Sequence, residues 1–193
     1  MATWKKSFCF GIRRIVEDVP KYILLITMCL ALGIFKELVF ILAILFAYKS
    51  FVGGVHARTN LTCLISTLSY FLINIYACKF LVFDSVYMYI MYGAMFIFGI
   101  YIINKYVPAD TEEVPIINKE LRKSLKLKAY IMFILMYIIS AVVIYLNIKN
   151  SFVIANYIII SMFIANFMTI NIMYKLFKCS YGYKGGKEYE SIN

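Results

Sequence analysis

Recurrent apolar runs of membrane-crossing length set the terms for what this chain can fold into. Residues 61–83, 86–107, 129–148 and 152–177 each form such a run, and polar or charged residues mark the joints between them. About 20 apolar residues in a helix cross a hydrocarbon core of ~30 Å. Hydrophobic residues make up 63% of the 193-residue chain and charged residues 16%. Ordinary soluble domains hold roughly 45–50% apolar residues, and one core of this size has no room for the excess. The chain therefore reads as all-α, a polytopic helical membrane protein with about six membrane segments and an N-terminal amphipathic helix.

Residues 22–48 are apolar apart from Lys36 and Glu37, which divide them into two halves, each short for a full span. Charge asymmetry decides how they run. If they enter and return as a hairpin with Lys36-Glu37 at the far side, 17 of the 20 Lys and Arg residues share one face, and only Lys36, Lys79 and Lys149 lie on the other. That is the distribution the positive-inside rule requires, with both termini cytoplasmic. A single crossing would turn the five basic residues of segment 1–21 outward. Segment 1–21 lacks the compact apolar core and small-residue cleavage site of a signal peptide. Trp4, Phe8, Ile12 and Ile15 alternate there with Lys5, Lys6, Arg13 and Arg14 at near-helical spacing. This suits an amphipathic helix on the membrane surface, and a solvated basic arm is the plainer alternative.

The predicted organisation is one integral membrane domain, 1–193. It comprises the amphipathic segment 1–21, a hairpin 22–48, a loop 49–60, two spans in 61–107, a cytoplasmic loop 108–128, two spans in 129–177, and a Gly-containing tail 178–193. In the long loop Pro108 and Pro115 oppose a continuous helix, and Asp110, Glu112 and Glu113 precede Arg122, Lys123, Lys126 and Lys128. The five cysteines show no paired spacing, so neither a disulfide framework nor a zinc site is expected. A single histidine without H-E-x-x-H excludes a zinc peptidase. No cofactor, metal or nucleic acid is expected, the positive charge being accounted for by topology.

The chain's one histidine stands in "KSFVGGVHARTNLTCLIST", residues 49–67. A cysteine nucleophile acts as a thiolate and needs a base or a positive environment. His56 and Cys63 are seven residues apart, which in one helix means a ~10 Å rise, against ~3 Å for a hydrogen bond. A dyad therefore demands that no single regular helix run through both. Gly53 and Gly54 permit an interruption, and Thr59 or Asn60 can cap a helix that starts at about Leu61. Cys63 then falls in the first turn, His56 folds back to within roughly 3–5 Å of it, and Arg58 adds positive potential. Taken singly, each residue has an ordinary reading: a packed cysteine at the start of an apolar helix and a solvated interfacial histidine. Ser50 and Ser66 lie in no G-x-S-x-G turn.

At these residues the sequence resembles the accessory gene regulator B (AgrB) family of bacterial membrane peptidases. The resemblance rests on Lys49, "GGVHA" at 53–57, Cys63, and "YVPADTEEVPI" at 106–116, which is similar to the family's Y-A-P-A-x-T-x-x-x-P-I loop. Ser50 departs from it, since some members carry a second basic residue there. The resemblance implies a cysteine endopeptidase of the bacterial cell membrane, with its active site at the cytoplasmic face. Its substrate would be a short quorum-sensing propeptide with an amphipathic leader and an acidic tail. Cys63 is then the nucleophile and His56 the general base and acid, with Gly53, Gly54, Arg58 and Lys49 in support. The propeptide's N-terminal part would be held on Cys63 as a thioester and cyclised to a thiolactone or lactone. A homodimer is implied by the resemblance alone. Arg122, Lys123, Lys126 and Lys128 would attract the acidic tail, although positive-inside topology explains those charges equally well. A small transporter or channel is the alternative, but it predicts ionisable residues inside spans. Lys36, Glu37, Lys79 and Asp84 all sit at segment ends. Asn74, Asn156, Asn166 and Asn171 read as helix-packing residues.

Overall fold

The structure, a computed structural model, describes residues 19–55, 59–81, 85–112, 115–147 and 149–180. The amphipathic pattern of Trp4, Phe8, Ile12 and Ile15 lies outside them. Among the described residues there are seven helices: α1 (Val19–Ala31), α2 (Phe35–Val52), α3 (Asn60–Phe80), α4 (Ser85–Tyr106), α5 (Lys119–Tyr145), α6 (Ser151–Phe167) and α7 (Asn171–Leu176). Helices α3, α4 and α5 are long and apolar enough to cross a membrane, while α1 and α6 are shorter apolar helices. Only 17% of the most apolar stretch of α5 is buried. Ile131, Leu135, Ile138 and Val142 are among the residues left exposed along it. A continuous apolar surface of that kind is tolerated in lipid and not in water. The protein is an all-α membrane protein.

Helix α6 is the centre of the bundle and meets α2, α3, α4 and α5. It is buried on every side from Ala155 to Met162, as expected of a helix that is apolar all round. Its polar groups find partners across helix boundaries. The Tyr92 hydroxyl of α4 donates to Asn156 Oδ1 at 2.7 Å, and Asn156 Nδ2 donates to the Leu81 carbonyl at 3.0 Å. Ser161 donates to Asn74 Oδ1 of α3 at 3.0 Å, and Tyr48 of α2 donates to Asn166 Oδ1 at 2.7 Å. Each such bond is worth on the order of 1 kcal/mol in a membrane interior. Asn74, Asn156 and Asn166 are thus the packing residues expected, whereas Asn171 is exposed at the start of α7.

Segment 22–48 falls on two helices, α1 and α2, and the turn between them comes earlier than Lys36-Glu37. Gly33 takes φ +68, the Leu32 amide donates to the Met28 carbonyl, and the Ile34 amide donates to the Cys29 carbonyl. A glycine at positive φ closes the helix there, so Lys36 and Glu37 fall in the first turn of α2. Glu37 pairs with Lys79 near the C-terminal end of α3 at 2.6 Å. Each charge has the sign that its helix end favours, and the pair marks one end of the bundle.

Two further boundaries differ from the sequence reading. Helix α5 starts at Lys119 rather than at 129, because Asn118 caps it by accepting from the Glu120 and Leu121 amides. The basic cluster therefore lies on a helix and not in a loop. Region 152–177 is not one helix: α6 ends at Phe167, and Thr169 hydrogen-bonds back to the Asn166 carbonyl through both its amide and its hydroxyl. That local bonding competes with helix continuation, and the chain resumes as the short α7.

Candidate active site

The end of the bundle opposite Glu37–Lys79 gathers both stretches on which the family resemblance rests. Helix α2 stops at Val52, where Gly53 adopts φ +78 and Gly54 φ +140. The two glycines then run beside Ala109 as an isolated parallel β-bridge. The Gly54 amide donates to the Ala109 carbonyl at 3.0 Å, and the Ala109 amide donates to the Val52 carbonyl at 2.9 Å. On the other side, the Val55 amide donates to the Met168 carbonyl at 3.3 Å. The break after α6 thus presents a main-chain acceptor to the segment that leads into His56.

The chain returns to helix at Asn60 through a reciprocal cap. The Thr59 hydroxyl accepts from the Thr62 amide, and the Thr62 hydroxyl accepts from the Thr59 amide. A single straight helix from Gly53 to Phe71 is therefore excluded, and the break that a His56–Cys63 dyad demands is present. His56, Ala57 and Arg58 lie outside the described residues, so the approach of the imidazole to the thiol does too.

Cys63 is half-buried in the first turn and a half of α3. Its own amide donates to the Thr59 carbonyl at 2.9 Å, and the Thr62 amide is taken by the cap. Among the described residues, a positive charge reaches the sulfur from α1: Lys21 Nζ donates to Cys63 Sγ at 3.3 Å. Both side chains open on a cavity of about 440 Å³ that Lys49, Ser66, Tyr70 and Phe46 also line. The Lys49 ammonium lies 4.8 Å from the centre of the Tyr70 ring. The buried Tyr70 hydroxyl has no hydrogen-bond partner among the described residues. Ser66 donates to the Thr62 carbonyl and Ser50 to the Phe46 carbonyl, so both hydroxyls are tied to their own helices. Cys29 and Cys78 are buried in the core, and Cys29, Cys63 and Cys78 are all free thiols.

A buried polar knot holds the 107–116 loop against the glycine pair. Asp110 Oδ2 accepts from Arg122 Nη1 at 3.0 Å and from the Ile116 amide at 2.8 Å. Arg122 Nη2 reaches the Pro108 carbonyl at 3.1 Å, and the Tyr174 hydroxyl of α7 donates to the Asp110 carbonyl at 2.8 Å. Removing one member of such a network leaves a buried group unsatisfied, which costs several kcal/mol for a charge. Arg122 therefore holds the loop, and Lys126 is bonded to the Asn104 carbonyl. Lys123 and Lys128 are exposed on α5. None of these four is among the described residues lining the cavity.

Of the residues singled out from sequence, the structure brings Gly53, Lys49 and Cys63 to one cavity and sets Gly54 in the bridge beside it. Lys21 and Asp110 were missed. Lys21 counted only as one of several N-terminal basic residues, and nothing in its neighbourhood points to a residue 42 positions away. Asp110 had a signal, since it belongs to the same loop motif as Ala109.

The family model described as accessory gene regulator B matches residues 4–172. An AgrB-like protein of Clostridium acetobutylicum is 29% identical over 133 residues, which cover 69% of this chain and 62% of that protein. AgrB-like proteins of two Listeria monocytogenes serotype 4b strains are each 28% identical over 124 residues, covering 63% of this chain and 58% of theirs. The chain thus spans about 62% of the length of the Clostridium relative. No solved structure matches. The family match takes in both the glycine–histidine–cysteine stretch and the loop bridged to it, and the chain belongs to the accessory gene regulator B family.

Proposed function

We propose that this protein is a membrane-embedded cysteine endopeptidase that processes a short autoinducer propeptide. The observation that carries the reading is the thiol of Cys63, open to a cavity at the end of the bundle with an ammonium group against its sulfur. Cys63 attacks a backbone carbonyl of the propeptide, and His56 takes up the thiol proton and delivers it to the departing amine. The C-terminal fragment leaves, and the N-terminal part remains as a thioester. A thiol or hydroxyl within the held peptide then displaces Cys63 and closes a thiolactone or lactone ring. Thioester exchange is nearly neutral in free energy, so ring closure needs no external energy source, and a cavity walled by Phe46, Phe71 and Met168 limits hydrolysis in the meantime.

The active site belongs at the cytoplasmic face of a bacterial cell membrane, because the end of the bundle that holds Cys63 also holds most of the described basic residues. An amphipathic propeptide leader would lie in the same interface. Lys123 and Lys128, exposed on α5, remain for an acidic tail, and a homodimer belongs to the same reading. Membrane vesicles of both orientations test the proposal. Inside-out vesicles are expected to release the C-terminal fragment from added propeptide, and right-side-out vesicles to leave it intact. Cleavage by neither would refute the peptidase reading, and cleavage by right-side-out vesicles alone would refute the cytoplasmic face.

A further inference from the structure

We propose that Lys21 is a catalytic residue, the cationic partner of the Cys63 sulfur in both attack and release; this rests on the reading of Cys63 as the nucleophile. A lysine at the membrane end of a helix ordinarily extends its ammonium to headgroups and water. Lys21 does not: it is 7% exposed, and its Nζ turns inward to sit 3.3 Å from Sγ. Buried ammonium groups persist where they are paired. Lys21 has further interactions besides the sulfur.

Among the described residues, the sulfur faces positive charge. From α1 come Lys21 and Tyr22, from α2 Lys49, and from α3 Tyr70, while Met168 and Phe177 contribute apolar surface. No carboxylate is among the described residues lining the cavity. His56 and Arg58, on the adjoining segment, lie outside the described residues.

The chemistry assigns Lys21 one task at two moments. A thiolate at Cys63 accepts a hydrogen bond from the ammonium, which keeps its proton throughout. On attack the negative charge passes from sulfur to the carbonyl oxygen, and once the amine has left the sulfur is a neutral thioester. When the internal nucleophile closes the ring, His56 takes its proton, the S–C bond to the acyl group breaks with its electron pair going to sulfur, and Lys21 again faces a thiolate, now as leaving group. Only charge is stabilised, and no atom is transferred to or from Lys21.

The test reads the thiol without any propeptide, so its failure would leave the peptidase reading standing. Purified full-length protein in detergent is treated with iodoacetamide, and modification of Cys63 is followed by mass spectrometry of its peptide. Lys21→Met is expected to slow alkylation about tenfold at pH 7, a change of that size being what one well-placed charge confers on a thiol. At pH 10, where every accessible thiol reacts as its anion, the rates are expected to converge, and Lys21→Arg is expected to restore the rate at pH 7. Lys21→Gln, neutral but polar, serves if the methionine variant fails to accumulate. Equal rates at pH 7, or a slowing by the same factor at both pH values, would overturn the proposal, since the latter reports access alone.

Discussion

Cys63→Ala is expected to abolish propeptide cleavage, by at least about a thousandfold, while leaving the amount of protein in the membrane unchanged. Losses of this size are what removal of a covalent nucleophile produces. The side chain is half-buried at a cavity wall, so truncating it removes little packing, and stability and activity should separate. Cys63→Ser is expected to be nearly as inactive, since a hydroxyl is a much weaker nucleophile than a thiolate. Cys29→Ala and Cys78→Ala should behave in the opposite way. Both cysteines are fully buried, so alanine lowers stability by roughly 1 kcal/mol through lost packing, and the protein that folds should still cut. Membrane abundance by immunoblot beside cleavage per folded molecule checks all four. Activity surviving in Cys63→Ala would remove the thiol from the mechanism.

Gly53→Ala is expected to lower both stability and activity, because the glycine pair holds the site's framework. At φ +78 a side chain is strained, and a Cβ built there would be driven into the Ala109 carbonyl oxygen. Such backbone strain costs on the order of 1–3 kcal/mol. The steric conflict adds to it, and relieving it means parting the bridge that Gly54, Ala109 and Val52 share. The segment that leads into His56 would lose its anchor, and cleavage should fall at least about tenfold, with the melting temperature in detergent falling too. Gly93→Ala, mid-helix in α4 with nothing within 4 Å of the added carbon, is the control. It should be neutral or stabilising by up to ~1 kcal/mol. A Gly53→Ala protein as stable and active as the parent would show that the bridge does not govern the site.

The sequence was most legible where a local rule applied. Thr59 followed by Thr62 marks the start of α3, and Gly53-Gly54 marks the end of α2, because caps and positive-φ turns depend on a few adjacent residues. Span boundaries were less legible. The basic run 119–128 looked like loop because of its charge, yet Asn118 and Glu120 at its start carried a helix signal, and leucines at 121 and 125 recur at helical spacing. The break after Phe167 gave no warning: Asn166 and Thr169 are small polar residues of a kind that continuous spans also contain, and here Thr169 bonds back to the Asn166 carbonyl instead. Lys21 was illegible in principle, since its contact with Cys63 joins residues on different helices, α1 and α3, that only the tertiary fold brings together. The Asp110–Arg122 pair is intermediate. Both residues were visible as acidic and basic neighbours, but only the fold shows that their charges are spent on holding the loop.

The central claim is that Cys63 carries the propeptide as a thioester, and the mass of the Cys63 peptide tests it most directly. Propeptide whose internal nucleophile is replaced by alanine cannot close a ring, so the acylated enzyme should accumulate. After a brief incubation and acid quench, the Cys63 peptide is expected to gain the mass of the propeptide's N-terminal part, and hydroxylamine should remove it, as it does any thioester. Release of the C-terminal fragment with no adduct on Cys63, or an adduct on Cys179 instead, would contradict the account.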